Sequence, residues 1–299
     1  MIVGFIGTGN IGTPMAANIL KAGYSLIVHD IVREKATPLL EQGAQWADSP
    51  KDVAALCDIT STCLPGPKEM EAVTLGELGI LEGIRPGTVY IDHTTNAPLM
   101  TRKVHDAFKA RGVDMVDAPV SGGVEGAMTR DLLVMVGGDH DTFERVKPLL
   151  DAIGERVYHT GEIGSGTTCK ILHNTAGFCA EMAMAECWTL AVKSGVAPEV
   201  IVNVFTNGAL GRMSNLKLRL PDTYFRGNFD ARFALRIARK DVGLATELAR
   251  AYDVPVRMAE LCEQEFIEAM GKGWGDRDSS IVLTLQEQRA GVQVRLPGL

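Results

Sequence analysis

The sequence predicts an α/β domain followed by an all-α domain, and two observations support this prediction. In the first half, short apolar runs alternate with helical patterns, which is typical of a mainly parallel sheet with helices on both faces. Beyond residue 161, apolar residues recur at helical spacing to the end of the chain. We therefore predict an α/β domain over residues 1–161 and a helical domain over residues 162–299, joined by a long interdomain helix.

Each element is predicted from its apolar pattern and the turn residues beside it. The predicted strands are Ile2–Ile6, Ser25–His29, Ile59–Cys63, Thr88–Asp92, Asp114–Asp117 and Leu132–Val136. The helices predicted in the first half include Ile11–Ala22, Glu34–Gln42 and Pro98–Arg111. Those predicted in the second half are Thr167–Ser194, Pro198–Thr206, Met213–Arg219, Ala234–Tyr252, Val256–Lys272 and Ser279–Ala290. The glycine-rich stretch Gly161–Gly166 is interpreted as a hinge before the long helix.

Composition and charge narrow the class of protein. The net charge of −7 and the pI near 5.5 argue against nucleic acid as the main partner and against a basic membrane-binding face. No apolar run has the length that a bilayer span requires. None of the six cysteines forms a C-x-x-C pair or a zinc-spaced cluster, so we predict no metal site and reduced thiols. A reducing environment and the absence of a recognisable signal segment predict a cytoplasmic protein.

The opening residues carry a motif for phosphate binding. Gly7-Thr8-Gly9-Asn10-Ile11-Gly12 fits the pattern G-x-G-x-x-G, and it lies between an apolar run and a helical run. Such glycines permit a tight turn, a close approach to a pyrophosphate and close packing of helix on strand. This context predicts a Rossmann domain that binds a dinucleotide through Gly7, Thr8, Gly9, Asn10, Ile11 and Gly12. The alternative is an ordinary strand–helix turn.

The second apolar run ends in Asp30, eighteen residues after Gly12. A carboxylate at this position accepts hydrogen bonds from the ribose hydroxyls and repels a 2′-phosphate, which favours NAD over NADP. Arg33 offers a positive charge close by, so NADP is the alternative cofactor.

A second group of motifs lies further along the chain. Successive backbone N–H groups in Ser121-Gly122-Gly123 are able to form an anion-binding concavity for a substrate carboxylate, although a plain glycine turn explains them equally well. Lys170 and Asn174 are four residues apart and share one face of the long helix. A desolvated lysine there is a candidate general acid/base, with Asn174 orienting the substrate.

Other charged and imidazole groups are weaker candidates from the residues alone. Lys240, in Arg239-Lys240-Asp241, is able to reach a carboxylate or the nicotinamide, but a surface charge is the default interpretation, as it is for Lys170. His93 follows a strand end and is a candidate substrate contact. His173 is interpreted as a supporting or core histidine.

Taken together, these motifs resemble the β-hydroxyacid dehydrogenase family, within the wider 6-phosphogluconate dehydrogenase superfamily. The resemblance covers nearly the whole chain. The segments that carry it are GFIGTGNIGTPMAANILKAG at the start, CLP at 63–65, PGTVYIDHTTNAP at 86–98, DAPVSGG at 117–123, VMVGGD at 134–139, HTGEIGSGTTCKILHN at 159–174 and RKD at 239–241.

The resemblance implies roles for matching positions. Leu64 and Pro65 would line the cofactor, and Thr95 would touch its nicotinamide side. Residues 121–123 would hold the substrate carboxylate. Lys170 would be the general acid/base beside Asn174, and Lys240 would close over cofactor and substrate. His93, Asn96, Glu125 and His173 depart from the residues common in the family. Of these, His93, Glu125 and His173 are expected near the substrate, so they bear on the exact substrate rather than on the reaction class.

The expected activity is hydride transfer between NAD(P) and a small 3-hydroxy acid such as 3-hydroxyisobutyrate or glycerate. Alternatives are a reductase of a larger hydroxy acid or a sulfonate, a decarboxylating 6-phosphogluconate-type enzyme, an imine reductase-like enzyme, and a non-catalytic dinucleotide-binding module. The helical domain is expected to support a homo-oligomer, either a dimer or a tetramer.

Overall fold

The computed structural model describes residues 1–296, and Pro297–Leu299 lie outside the described residues. The chain divides into two compact units, Met1–Thr175 and the residues from Ala176 onward. The boundary predicted between residues 161 and 162 concerns the functional domains and stays a prediction. Each unit is described by itself.

The first unit is built on one sheet. Its strands are β1 Ile2–Ile6, β2 Ser25–His29, β3 Gln45–Trp46, β4 Ile59–Thr62, β5 Val89–Asp92, β6 Asp114–Asp117, β7 Val120–Ser121, β8 Leu133–Gly137 and β9 Arg156–Gly161. The strand order is β3-β2-β1-β4-β5-β6-β8-β7, with β9 paired to β8. Strands β1 to β6 are joined by parallel pairs, while β8 is antiparallel to β6 and β7. The order reverses beside β1, which is the crevice where Rossmann sheets bind dinucleotides.

Helices and short helical turns connect the strands of the first unit. They are α1 Gly12–Lys21, a 3₁₀ turn Arg33–Ala36, α2 Thr37–Leu40, α3 Pro50–Leu56, α4 Pro67–Leu75, α5 Ile80–Gly83, α6 Pro98–Lys109, α7 Gly123–Thr129, α8 His140–Ile153 and the start of α9 Ser165–Lys193. Alternate strand residues point to opposite faces of the sheet. Val3 and Phe5 therefore join one buried apolar cluster, while Ile6 joins the other.

The six predicted strands are present, three of them with the predicted bounds and three shifted by one residue at one or both ends. The predicted helix Glu34–Gln42 was wrong in type, because a 3₁₀ turn and a single short α-helix occupy this segment. The strands β3 and β7 were not predicted, since two residues are too few to show an alternating pattern. Strand β9 was missed because it is largely exposed and carries no apolar alternation.

The segment predicted as a hinge contains little loop. Strand β9 ends at Gly161 and helix α9 begins at Ser165, so only residues 162–164 lie between the two elements. The bending of this segment stays a prediction.

The second unit is mostly helical, as predicted. After α9 come α10 Pro198–Asn207, a π-helical turn Asn215–Arg219, α11 Leu220–Asp222, α12 Leu235–Ala251, α13 Arg257–Gly271, a 3₁₀ turn Ser279–Val282 and α14 Leu283–Ala290. Met213 has a φ of +57°, which a right-handed helix does not allow, so the helix predicted from Met213 begins later. The predicted helix Ser279–Ala290 starts as a 3₁₀ turn because the side chain of Asp278 caps it by accepting a hydrogen bond from the N–H of Ser280.

The apolar packing of the second unit is limited. One cluster is centred on Leu235, Leu285 and Ala269, and a smaller one on Leu190, Ala249 and Val256. Across residues 1–296, no helix combines the length and the apolar character needed to cross a membrane.

Candidate active site

The glycine-rich turn after β1 is shaped by contacts within the protein at two of its three glycines. Gly7 has a φ of +95°, and a Cβ on it would lie 2.3 Å from the carbonyl oxygen of Cys63. A Cβ on Gly12 would lie 1.9 Å from the carbonyl oxygen of Gly7. Both positions exclude any side chain, which explains how α1 starts so close to the end of β1.

Gly9 is different, because the protein itself does not require a glycine there. A Cβ on Gly9 would meet no described atom within 4 Å. Gly9 instead lines a cavity of about 500 Å³. The remaining lining residues are Ile6, Gly7, Asn10, Ile11, Gly12, His29, Asp30, Ile31, Lys35, Pro50, Cys63, Leu64, Pro65, Glu69, Ala72 and Val73. Space kept beside a helix N-terminus fits a pyrophosphate group.

Asp30 holds the turn in place from the end of β2. Its carboxylate is buried, with 8% of the residue exposed. One carboxylate oxygen accepts a hydrogen bond from the N–H of Thr8 at 2.8 Å, and the other accepts one from the N–H of Val32 at 2.9 Å. Each carboxylate oxygen accepts more than one hydrogen bond, so Asp30 retains capacity for ribose hydroxyls.

Two positively charged side chains bear on the choice between NAD and NADP. The guanidinium of Arg33 stacks over the ring of Trp46, 5.1 Å from its centroid. Lys35, which the sequence analysis did not single out, lines the cavity. Trp46 gives Arg33 a cation–π partner, and the predicted contact of Arg33 with a cofactor stays a prediction. Because Lys35 and Asp30 line the same cavity, a 2′-phosphate there would meet a positive charge as well as the acid.

The loop after β4 forms another wall of the cavity. Leu64 and Pro65 both line it, and their predicted contact with the cofactor stays a prediction. The N–H of Leu64 donates to the hydroxyl of Thr94 at 3.1 Å, which ties this loop to the one after β5. Thr94 is buried, whereas Thr95, the predicted nicotinamide contact, is exposed.

A buried polar network surrounds Asp92 at the end of β5. Its Oδ1 accepts hydrogen bonds from the hydroxyl of Thr62 at 2.9 Å and the N–H of Thr94 at 3.0 Å. The amide of Asn96 donates to its Oδ2 at 3.4 Å, and the Thr62 hydroxyl also pairs with that of Tyr90. Burial raises the pKa of Asp92 to about 6, against the lowering effect of these hydrogen bonds. This network fixes the loop that carries Thr94 and Thr95.

His93 lies inside the fold, with 3% of the residue exposed. Its Nδ1 is 2.8 Å from the carbonyl oxygen of Ala118, so Nδ1 carries the hydrogen and donates it. Burial lowers the pKa of His93 to about 4, although this hydrogen bond acts in the opposite direction. The imidazole is therefore neutral near pH 7, and its predicted contact with substrate stays a prediction.

The predicted carboxylate site lies between β7 and α7. Gly122, with a φ of +143°, precedes the helix, and its carbonyl accepts the N–H of Gly126 as the first helical hydrogen bond. The N–H groups of residues 123–125 have no acceptor within the helix, as at any helix start. Ser121 is half-buried, while Gly122 and Gly123 are exposed. Exposed donors of this kind suit an anion, and the assignment stays a prediction.

Lys170 lies in the second turn of α9, within the first unit, and only 8% of it is exposed. Desolvation by burial lowers the pKa of its amine. Asn174 follows one turn later and is half-buried, and its side-chain oxygen lies 3.4 Å from Nδ1 of the exposed His173. The interpretation of His173 as a core residue was wrong, since its ring faces solvent.

Lys240 belongs to the second unit. It is exposed on α12 and forms an ion pair with Asp241 at 2.9 Å. Its predicted role over the cofactor stays a prediction.

Several polar groups near these residues were not assigned roles from the sequence. They are Lys35 on the cavity, the network of Thr62, Tyr90, Asp92 and Asn96, and the buried carboxylate of Asp117. The sequence does contain a signal for Asp92 and Asp117, because each is a charged residue at the end of a run that predicts a buried strand. Within residues 1–296, no group of three or more His, Cys, Asp or Glu side chains is arranged to hold a metal ion.

Two family models match the chain. Residues 2–161 match the NAD binding domain of 6-phosphogluconate dehydrogenase. Residues 164–286 match the NAD-binding domain of NADP-dependent 3-hydroxyisobutyrate dehydrogenase. Together they span both the Rossmann sheet and most of the helical region.

Characterised relatives match over nearly their whole length. The chain is 36% identical to 2-(hydroxymethyl)glutarate dehydrogenase of Eubacterium barkeri, over 98% of this chain and 97% of that protein. It is 34% identical to the NAD-dependent L-serine dehydrogenase of Pseudomonas aeruginosa, over 97% and 99% of the two chains. Among solved structures, 3-hydroxyisobutyrate dehydrogenase of Mycobacterium tuberculosis, solved with L-serine, aligns with a TM-score of 0.66 and 27% identity over 95% and 98% of the two chains.

These matches confirm the predicted fold class and the predicted class of enzyme, an NAD(P)-dependent oxidoreductase of hydroxy acids. The chain belongs to the β-hydroxyacid dehydrogenase family.

Proposed function

We propose that this family member interconverts a small 3-hydroxy acid and its 3-oxo acid, with Lys170 as the general acid/base. The observation that carries the proposal is the burial of Lys170 near the start of α9, where desolvation lowers the pKa of its amine. A neutral amine is a base, so this environment favours proton uptake from a hydroxyl group.

The proton and the hydride leave the substrate by different routes. A nicotinamide bound at this site would supply the hydride acceptor, and in oxidation Nζ of Lys170 would accept the hydroxyl proton. In reduction, Lys170 returns the proton to the carbonyl oxygen. Asn174 lies one helical turn from Lys170 on the same face, where its amide is able to orient the reacting oxygen.

The substrate carboxylate is assigned to Ser121, Gly122 and Gly123. The support is the row of helix-start N–H groups beside the two exposed glycines, together with the Ser121 hydroxyl. A carboxylate held there would fix the neighbouring hydroxyl carbon for transfer. Lys240 is assigned to the same substrate and cofactor from the family resemblance.

NAD is the proposed cofactor. Asp30 sits at the cavity with both oxygens anchored to main-chain N–H groups, so it cannot move away from a ribose without disturbing the turn. The guanidinium of Arg33 has a cation–π partner in the ring of Trp46. Among residues 1–296, Lys35 is the one positively charged side chain that lines the cavity and would favour NADP. We therefore expect a measurable preference for NAD over NADP and not a complete exclusion of NADP.

We also propose a homo-oligomer built on the helical unit. No residue of α10 is buried, and Val200, Val202 and Val204 are each about half exposed or more. Phe178 and Met182, four apart on α9, are also mostly exposed. Apolar surface on this scale marks an interface, and a second copy of the same chain is the simplest symmetric occupant.

The free thiols of all six cysteines support a reducing cytoplasmic location.

The test is a spectrophotometric assay of NAD⁺ and NADP⁺ reduction with a panel of hydroxy acids. The panel contains 3-hydroxyisobutyrate, glycerate, serine, threonate, 2-(hydroxymethyl)glutarate and 3-hydroxypropionate. Turnover of at least one acid is expected, with kcat/KM higher for NAD⁺. Silence across the panel while NADH still binds would contradict the proposal and favour a binding module.

Lys170→Ala tests the assigned base, and Lys193→Ala, an exposed lysine in the last turn of the same helix, is its matched control. General base catalysis contributes about 10²- to 10⁴-fold, so we expect kcat to fall by about 10³-fold in the first variant and not in the second. NADH affinity should stay within about threefold. For oxidation, kcat/KM should rise with pH as the amine loses its proton, at a pKa below 10.5, the ordinary value for lysine.

A further inference from the structure

A buried carboxylate joins the sheet of the first unit to the start of α9. Asp117 is the last residue of β6 and none of it is exposed. Its Oδ1 accepts a hydrogen bond from the N–H of Gly164 at 2.7 Å, and its Oδ2 accepts one from the N–H of Thr167 at 2.6 Å. These donors are the residue before α9 and the third residue of α9, two of the N–H groups that a helix start leaves without a helical partner. Asp117 therefore caps α9 from another strand.

The surroundings of this carboxylate leave it little freedom to move. A Cβ on Gly137 would lie 2.5 Å from Oδ1 of Asp117, and one on Gly166 would lie 3.0 Å from Oδ2. A Cβ on Gly166 would also lie 2.3 Å from the carbonyl oxygen of Met135. Side chains are thus excluded on both sides of the carboxylate, where β6, β8 and α9 meet. The start of α9 therefore packs directly against β6 and β8, with no space for a side chain at Gly137 or Gly166.

The carboxylate has no cationic partner that would explain its burial. No lysine or arginine of residues 1–296 forms an ion pair with it, and burial raises its pKa against the effect of the two N–H donors. A charge kept in such a place without a counterion is costly to the fold. The helix N-terminus offsets part of that cost, because its dipole favours a negative charge.

Asp117 also lies between two assigned parts of the active site. Along the chain, it precedes the predicted carboxylate site at Ser121 by four residues. Through its side chain it holds Thr167, which precedes Lys170 by three residues, or about one helical turn. Movement of the helix start relative to β6 would therefore move the amine relative to the bound carboxylate.

We propose that Asp117 is a positioning residue that sets the location of the Lys170 amine relative to Ser121, Gly122 and Gly123. This inference rests on the proposed function of Lys170. A misplacement of about 1 Å costs on the order of 10²-fold in rate, so the effect should appear in kcat.

The isosteric variant Asp117→Asn is the main test. The amide oxygen of asparagine is able to accept a hydrogen bond from one of the two N–H groups, but its NH₂ group then faces the second N–H group, and two donors cannot pair. We expect kcat to fall by about 10- to 100-fold, with the NADH dissociation constant within twofold of the wild-type value. Asp117→Ser, which is smaller and keeps one oxygen, is the second variant in case the amide does not fit.

Asp139→Asn is the matched control. Asp139 caps α8 in the same unit, accepting hydrogen bonds from the N–H groups of Asp141 at 3.0 Å and Thr142 at 3.1 Å. Both donors use the same oxygen of Asp139 and asparagine caps a helix about as well as aspartate, so this variant should change thermal stability little and leave kcat within twofold.

A double-mutant cycle separates positioning from general stability. Adding Asp117→Asn to Lys170→Ala should leave the residual rate within twofold, because an effect that acts through the amine vanishes with it. Three results would overturn the inference. The first is an unchanged kcat in Asp117→Asn, and the second is a loss of NADH binding in both Asp117 variants. The third is that Asp117→Asn lowers the rate of the Lys170→Ala variant by the same factor as it lowers that of the wild-type protein. Failure of the proposed function would look different, because Lys170→Ala alone would then keep kcat within tenfold of the wild-type value.

Discussion

The two units of the chain bury their residues in different ways. In the first unit, two apolar clusters cover opposite faces of one sheet, and residues such as Phe5 and Tyr90 are fully buried. In the second unit the clusters are small, and α10 has no buried residue. The first unit thus completes its own core, whereas the second exposes the apolar helix faces on which the proposed homo-oligomer rests.

Buried carboxylates show the same contrast. Asp92 and Asp117 in the first unit are held by hydrogen bonds without a cation, and burial raises the pKa of each. In the second unit Asp278 is fully buried but paired with Arg219 at 3.0 Å, and its pKa lies below the ordinary value. Unpaired buried charges are costly to a fold, and Asp92 and Asp117 both lie at strand ends next to candidate site residues.

The largest effect is expected where the first unit is packed most tightly. Gly12→Ala would place a Cβ 1.9 Å from the carbonyl oxygen of Gly7, so the helix start must shift. We expect a loss of about 3 kcal/mol in the free energy of unfolding and at least a tenfold loss in NADH affinity. Urea unfolding and NADH fluorescence titration measure the two quantities.

Gly9→Ala is the matched control, because its Cβ would meet no described atom. NADH affinity should fall by at least tenfold while unfolding changes by less than about 0.5 kcal/mol. Equal destabilisation by the two variants would show that Gly9 is needed by the fold rather than by a ligand.

The second prediction tests the exposed faces of the helical unit. Val204→Lys places a charge on α10, where the valine is 59% exposed. If a second copy covers this helix, burying the charge should weaken association by about 10²-fold, which sedimentation velocity over a concentration series would detect. Leu56→Lys, an exposed apolar position on α3 of the first unit, should leave the oligomer intact. A monomeric wild-type protein would show that no second copy covers the exposed apolar faces of the second unit.

The third prediction uses the buried groups at the end of β5. Between pH 6.5 and about 4 the unfolded His93 binds a proton that the folded one does not, so acidification destabilises the fold. Asp92 acts in the opposite direction, because its folded carboxyl binds a proton below about pH 6 and the unfolded one only near 3.8. The two effects nearly cancel in the wild-type protein.

Asp92→Asn removes the second effect. On acidification from pH 6.5 to 4.5, the variant should therefore lose about 2 kcal/mol more unfolding free energy than the wild-type protein. Urea unfolding at the two pH values measures the difference. Parallel pH dependence in the two proteins would mean that burial does not raise the pKa of Asp92 in the fold.

The smallest effect is expected from a cap in the helical unit. Glu186 on α9 accepts hydrogen bonds from the N–H groups of Met258 at 3.0 Å and Ala259 at 3.3 Å, at the start of α13. Glu186→Gln should cost about 1 kcal/mol of stability and leave kcat within twofold. A tenfold loss of kcat would contradict this prediction, because it would mean that the start of α13 affects catalysis as the start of α9, capped by Asp117, is proposed to do.

Local patterns predicted the elements whose signals lie close together in the chain. The run from β1 through Gly12 to Asp30 was predicted with its bounds nearly correct, because alternation, turn glycines and a strand-end acid all occur within thirty residues. The family resemblance pointed to Leu64 and Pro65, which line the cavity. The short strands and the 3₁₀ turn at Arg33–Ala36 were missed, since their form depends on neighbours far along the chain.

The sequence by itself determined the fold class and the dinucleotide motif, because each rests on residue types at fixed local spacings. It indicated the enzyme family through its resemblance to motifs of a known family. Only the tertiary structure decided which polar groups are buried and what they contact. It turned Arg33 onto Trp46, placed His93 against Ala118, and brought the carboxylate of Asp117 to the start of α9. The partners in the last of these contacts are fifty residues apart, and burial and desolvation arise from packing between segments, which no local pattern records.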